Sequence, residues 1–229
     1  MILLVKHPPT YEKERQYIYR VVLREFLGLD YHSIAEERRD TLITMIEDES
    51  QGLVVSDILF QTPQEKWLKP SSLPSQPLEK FNLSQTPVDS PYVSPIIPII
   101  YGSRLDSGNY IDVQDSKIKL GLDIFGSAFF MLTRYEEVVK SVKDEHERFP
   151  ARASLAYREG FLMRPIVNEY LEILWWSIKK LWPGLERKKR SYRVCLSHDV
   201  DWPLSVAGNN PLRVLKTAAG DVLKRKDVQ

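Results

Sequence analysis

Apolar positions recur along the chain with two different periods, and the changes of period divide it into elements. Ile2 to Val5 form a short apolar start that stops at Lys6, His7 and two prolines, a pattern that predicts a buried first strand. From Tyr11 to Leu27 good helix formers dominate, with Ile18, Val21, Val22 and Leu29 at roughly helical spacing. Gly28 is placed to end that helix. Tyr31–Ile34, Thr41–Ile46 and Leu53–Phe60 are short β-prone runs between charged or glycine-containing turns. They predict a small sheet packed on the first helix.

Residues 61–98 break both periods. Eight of the fifteen prolines fall there, with many Ser and Gln, a composition that neither a helix nor a central strand tolerates. Two readings stand side by side: a flexible linker, or an irregular excursion pinned to the surface by Trp67, Leu68, Phe81 and Tyr92.

After it, Ile96–Tyr101 is apolar but interrupted by Pro98, and Tyr110–Val113 and Lys117–Leu122 alternate about Asp115-Ser116 as a hairpin does. Residues 124–139 predict a helix with Asp123 as its cap, and a second helix is expected from about Arg164 to Trp182, where Pro183-Gly184 stops it. Glu186–Arg190 is a charged bridge, read as solvated rather than as a phosphate or nucleic-acid site. Pro211–Asp227 reads as one basic helix. The expected organisation is an α+β domain over 1–185, a linker over 186–190, and a second region over 191–229.

Composition narrows the functional classes. Thirty-two basic residues balance thirty-one acidic ones, so no global field draws the chain to nucleic acid or to an anionic membrane. No apolar run approaches the roughly 20 residues of a spanning helix, and the first four apolar residues are too few for a signal-peptide core. The expectation is a soluble, cytoplasmic protein. Cys195 is the only cysteine, which excludes an intrachain disulfide and a cysteine zinc cluster. His7, His32, His146 and His198 form no H-x-x-x-H or H-E-x-x-H pair.

Candidate chemistry gathers near the end of the chain. Tyr192 to Trp202 is a β-prone run that closes on Ser197-His198-Asp199-Val200-Asp201. Residues two apart on a strand face the same way, so Asp199 and Asp201 project together if the run stays extended. Two such carboxylates can divide labour, one holding a divalent cation and the other taking a proton. Asp is equally a common loop former after strands, and that reading stays open. Farther upstream Arg134, Glu136, Glu137, Asp144, Glu145, His146 and Arg148 form a dense charged set, read as a solvated helix end with local pairing rather than a glycan or docking site.

The Ser197–Asp201 segment resembles the first motif of the polysaccharide deacetylase (NodB-homology, carbohydrate esterase family 4) superfamily, in a variant with Val200 between the two aspartates. The blocks Gly121–Glu137, Arg148–Arg152 and Gly160–Tyr170 are similar to an uncharacterised domain, DUF7033, found before such catalytic domains. The resemblance implies Asp199 as general base, Asp201 as a ligand of a divalent, zinc-like metal, and an acetylated glycan as substrate. It implies that residues 191–229 hold the first β-α unit of a (β/α) barrel, whose remaining ligands and acid lie beyond Gln229. The expected behaviour of these 229 residues is therefore weak metal binding and no deacetylation. The alternative is a non-catalytic glycan- or protein-binding module.

Overall fold

A computed structural model describes residues 1–86, 88, 90–189, 193–197, 199 and 211–220. The chain divides into two units, Met1–Lys189 and Arg190–Gln229. The first is α+β. Its strands β1 (Leu3–His7), β2 (Tyr31–Ala35), β3 (Thr41–Met45), β4 (Gly52–Val55), β7 (Ile111–Val113) and β8 (Lys117–Leu120) form one mixed sheet in the order β2-β1-β3-β4-β8-β7. β1 pairs parallel with β2 and antiparallel with β3, β3 antiparallel with β4, and β4 parallel with β8. β1, β2, β4 and β8 consequently all run the same way. Their carboxyl ends meet along one edge, the position at which open α/β sheets gather polar groups.

Alternation along β1 buries Leu3, Val5 and His7 on one face and leaves Leu4 and Lys6 half-buried on the other. Helices cover the first face: α1 (Glu12–Tyr19), α2 (Ile124–Leu132) and α5 (Ile166–Leu181), with Ile18, Val22, Phe125, Leu174 and Ile178 in the shared core. Asp123 caps α2, its carboxylate accepting the Gly126 N–H at 2.7 Å. β7 and β8 form the expected hairpin, Ile111 opposite Leu120.

The structure departs from the sequence reading where tertiary partners compete with local pattern. The helix expected over Tyr11–Leu27 is α-helical only to Tyr19, and Arg20–Leu27 winds as a π-helix ending at Gly28, whose φ is +72°. A side chain there would also meet Lys188, since an added Cβ falls 2.7 Å from the Lys188 Cβ. The run Leu53–Phe60 leaves the sheet after Val55, because the Ile58 and Leu59 N–H groups donate to Asp123 instead of continuing a ladder. The single helix expected over 124–139 breaks at Arg134, whose φ of +56° separates α2 from α3 (Tyr135–Val139).

The described part of 61–98 is pinned rather than free. Short 3-10 turns alternate with β5 (Lys80–Asn82), which pairs antiparallel with β6 (Ile96–Pro98). Leu78 and Leu83 are buried, and Trp67 packs 5.1 Å from Tyr135 and 4.2 Å from Tyr11 by ring centroid. Leu68 and Tyr92, by contrast, are exposed and anchor nothing by burial. At the other end of the unit, the charged bridge also docks: Lys188 N–H donates to Leu27 O at 2.7 Å and Arg187 pairs with Glu172 at 2.6 Å.

In the second unit Arg193–Ser197 and Asp199 belong to no strand, and Pro211–Gly220 is helix α6. The β-strand expected there is not formed among the described residues; an extended run without a neighbour to accept its N–H groups makes no ladder. Among the described residues no helix is long and apolar enough to cross a membrane.

Candidate functional site

Three side chains converge at the carboxyl edge of the parallel strands. His7 ends β1, Asp57 follows β4 by two residues, and Asp123 follows β8 by three. Arg15 reaches them from α1, placed by the helical repeat on the same stripe as Ile18, Tyr19 and Val22. Its Nη2 donates to Asp57 Oδ2 at 2.5 Å, its Nε to Thr10 O at 2.6 Å, and its guanidinium lies 4.8 Å over the Phe60 ring. The Tyr19 hydroxyl joins Arg15 to Thr41 Oγ1, 3.1 Å away. Gln61 Nε2 donates to the Asp57 carbonyl.

Asp123 is the hub of the arrangement. Oδ2 accepts from Ile58 N (2.8 Å) and Leu59 N (2.9 Å), while Oδ1 accepts from Gly126 N. One carboxylate thus ties the exit of β4 to the start of α2. Residue 126 is glycine for a steric reason: an added Cβ would fall 2.2 Å from Asp123 Oδ2. Burial, helped by the nearby Asp57 charge, pushes the Asp123 carboxyl up to about 7. Burial also raises Asp57, against the opposing pull of Arg15, and lowers His7, whose Nδ1 faces Pro8 O at 2.8 Å.

Perturbed carboxyls at a sheet's carboxyl edge are the usual mark of an active site. Here, however, Arg15 and Asp57 side chains are 0% and 3% exposed, and Asp123 is 1% exposed. Their polar atoms bond to one another and to backbone. Such an arrangement locks loops to helices and offers a substrate no approach.

The open polar surface lies on α5. The inner stripe of this helix, Tyr170, Leu171, Leu174, Ile178 and Leu181, fills the core. Consecutive helical residues lie about 100° apart, so Trp175 and Trp176 cannot both follow that stripe. Both are half-buried and line a cleft of about 480 Å³ with Tyr92, Glu172, Lys180 and Arg187. Arg187 lies 5.6 Å over the Trp175 ring while it holds Glu172. Lys179 also lines the cleft, with its ammonium donating to Pro183 O and Leu185 O. Aromatic faces beside fixed polar groups suit a ligand with an apolar face and many hydroxyls.

Of the residues marked by the sequence, Asp199 is exposed and lies in the second unit, whereas His198 and Asp201 lie outside the described residues. The upstream charged set pairs locally, as expected, Arg134 with Glu137, Glu136 with Lys140 at 2.7 Å, and Asp144 with Arg148 at 3.7 Å, but Glu136 is buried rather than solvated and accepts from the Leu155 N–H. Among the described residues no group of three or more His, Cys, Asp or Glu is placed to hold a metal ion. Sequence reasoning missed Arg15 and Asp57. A signal for each was present: an arginine on the apolar stripe of a helix, and an aspartate inside the apolar run Leu53–Phe60.

Fold and site together define a mixed-sheet α+β domain with a sealed ionic lock and an open aromatic cleft. The chain belongs to DUF7033, a family of unknown function, which matches residues 3–183. No curated protein and no solved structure matches it.

Proposed function

We propose that Met1–Lys189 is a non-catalytic accessory module that binds glycan in the Trp175 cleft, ahead of the catalytic region of a metal-dependent polysaccharide deacetylase. The observation that carries the binding role is the cleft itself. Trp175, Trp176 and Tyr92 offer ring faces to the C–H face of a sugar, and Glu172, Arg187 and Lys180 offer hydrogen bonds to its hydroxyls. The sealed state of the Arg15–Asp57–Asp123 group supports a scaffolding rather than a catalytic role for the sheet's carboxyl edge.

The deacetylase half of the reading rests on the Ser197–Asp201 motif. There Asp199 accepts the proton of the attacking water on a carboxylate oxygen, and its exposure leaves that oxygen reachable. Asp201 would be one ligand of a zinc-like ion, which when bound would polarise the acetyl carbonyl and acidify water. Carboxylates suit such an ion, but one or two do not make the three-ligand set of a catalytic zinc site.

Calorimetric titration of the 229-residue protein with N-acetylglucosamine oligomers tests the module. Saturable binding is expected, weakened at least about tenfold in Trp175→Ala and in Trp176→Ala, since truncating a stacking aromatic removes a binding hot spot. Equal binding by all three proteins sinks the cleft assignment. Release of acetate from the same oligomers by this chain, with zinc added, overturns the non-catalytic role.

A further inference from the structure

A second surface carries charge of one sign. Strand β2 is the sheet's edge, and a groove of about 590 Å³ runs between it and the outer side of α1 and the π-helical segment. Its walls supply Lys13, Arg20, Arg24 and His32, with Gln16 and Ser33 as neutral hydrogen-bonding groups and no carboxylate among them. Both guanidinium groups lie against rings: Arg20 is 5.9 Å over Tyr17 and Arg24 is 5.5 Å over Tyr31.

The π-helical winding decides which of these charges is compensated. Residues five apart point about 140° away from each other on an α-helix, yet Arg20 Nη1 meets Glu25 Oε1 at 3.0 Å. A π-helix repeats near five residues, which brings that pair onto one side. Glu25 is thereby engaged with Arg20, and Glu12 with Gln16 at 3.1 Å. Among the described residues Lys13 and Arg24 then have no carboxylate partner. An eight-residue π-helix is itself uncommon, and such segments recur at functional sites.

We infer that this groove binds a multiply charged organic phosphate, of diphosphate type. Arg24, held 5.5 Å over the Tyr31 ring, offers a planar fork that suits two oxygens of a phosphate, and Lys13 adds a compact charge. The space is more than a single inorganic anion fills, and, among the described residues, Lys13 and Arg24 stand without carboxylate partners beside Arg20, which Glu25 holds. The site is independent of the Trp175 cleft.

Titrating the 229-residue protein with ADP, inorganic diphosphate, inorganic phosphate and sulfate at one ionic strength provides the test. Saturable binding is expected for ADP and inorganic diphosphate, with phosphate and sulfate at least about tenfold weaker, and with affinity falling as salt is raised. Lys13→Ala/Arg24→Ala is expected to lose at least about tenfold in diphosphate affinity while keeping its melting midpoint, and Trp175→Ala to bind as the unchanged chain does. Three outcomes overturn the assignment: no saturable diphosphate binding, undiminished binding by the double variant, or capture of a polyglutamate peptide where diphosphate fails.

Discussion

The carboxyl-edge group and the Trp175 cleft are built from similar materials, an arginine, a carboxylate and aromatic rings, and they differ in what surrounds them. Arg15 and Asp57 are closed off by α1, Phe60 and Tyr19, so their charges are directed entirely inward. Arg187 and Glu172 make a contact of comparable length, but with side chains 33% and 18% exposed beside two tryptophans. Strong electrostatic perturbation therefore marks architecture in this protein, in groups that solvent does not reach. A search guided by shifted carboxyls alone would select this sealed group and pass over the open cleft.

The sharpest way to break that contrast is Arg15→Met, which preserves much of the volume and leaves Asp57 buried without its partner. The expected loss is about 3–5 kcal/mol in denaturant unfolding, the usual cost of splitting a buried pair. A loss below about 1 kcal/mol would mean that the group does not hold the fold together.

Asp123 comes next. Asp123→Asn cannot accept all three N–H bonds, because its amide must face either Gly126 or the Ile58–Leu59 pair, and a loss of about 2–3 kcal/mol is expected. The same variant isolates a pH effect. Because the folded carboxyl titrates near 7, above its unfolded value, its contribution is full below about pH 4 and fades as pH rises through about 7. Melting midpoints measured across that window should fall more with rising pH in the unchanged chain than in Asp123→Asn. Parallel curves would show that Asp123 is already ionised at the low end. The smallest effect is expected at Asp199→Asn, where an exposed side chain should alter stability by less than about 0.5 kcal/mol.

Much of the element order was legible beforehand. Alternation in Leu3–Val5, the hairpin about Asp115-Ser116, the cap at Asp123 and the stop at Gly28 are local signals, each written within a few residues, and each is found in the fold. The misses have different causes. Strand β4 ends early because Asp123 takes the Ile58 and Leu59 N–H groups from 65 and 64 residues away, whereas α2 breaks where Arg134 adopts a φ of +56° and its N–H turns to the Met131 carbonyl. The irregular region at 61–98 allowed two readings because a proline-rich stretch is extended either way, and tertiary contacts separate them: Trp67 against Tyr11 and Tyr135, buried Leu78 and Leu83, and the β5–β6 pairing.

The candidate sites divide in the same manner. By itself the sequence determined the period of each element, the caps and turns, the local pairing near Arg134 and the family to which the domain belongs, since these depend on residues close together or on whole blocks of text. Tertiary structure alone decided which charges are sealed. Arg15 and Arg187 are the same residue type, and burial is set by what packs above a side chain from elsewhere in the chain. It also turned the Tyr11–Leu27 helix into a π-helix at Arg20, bringing Arg20 to Glu25. Neither decision can be read from spacing, because both rest on contacts that exist only once the sheet and helices have closed on one another.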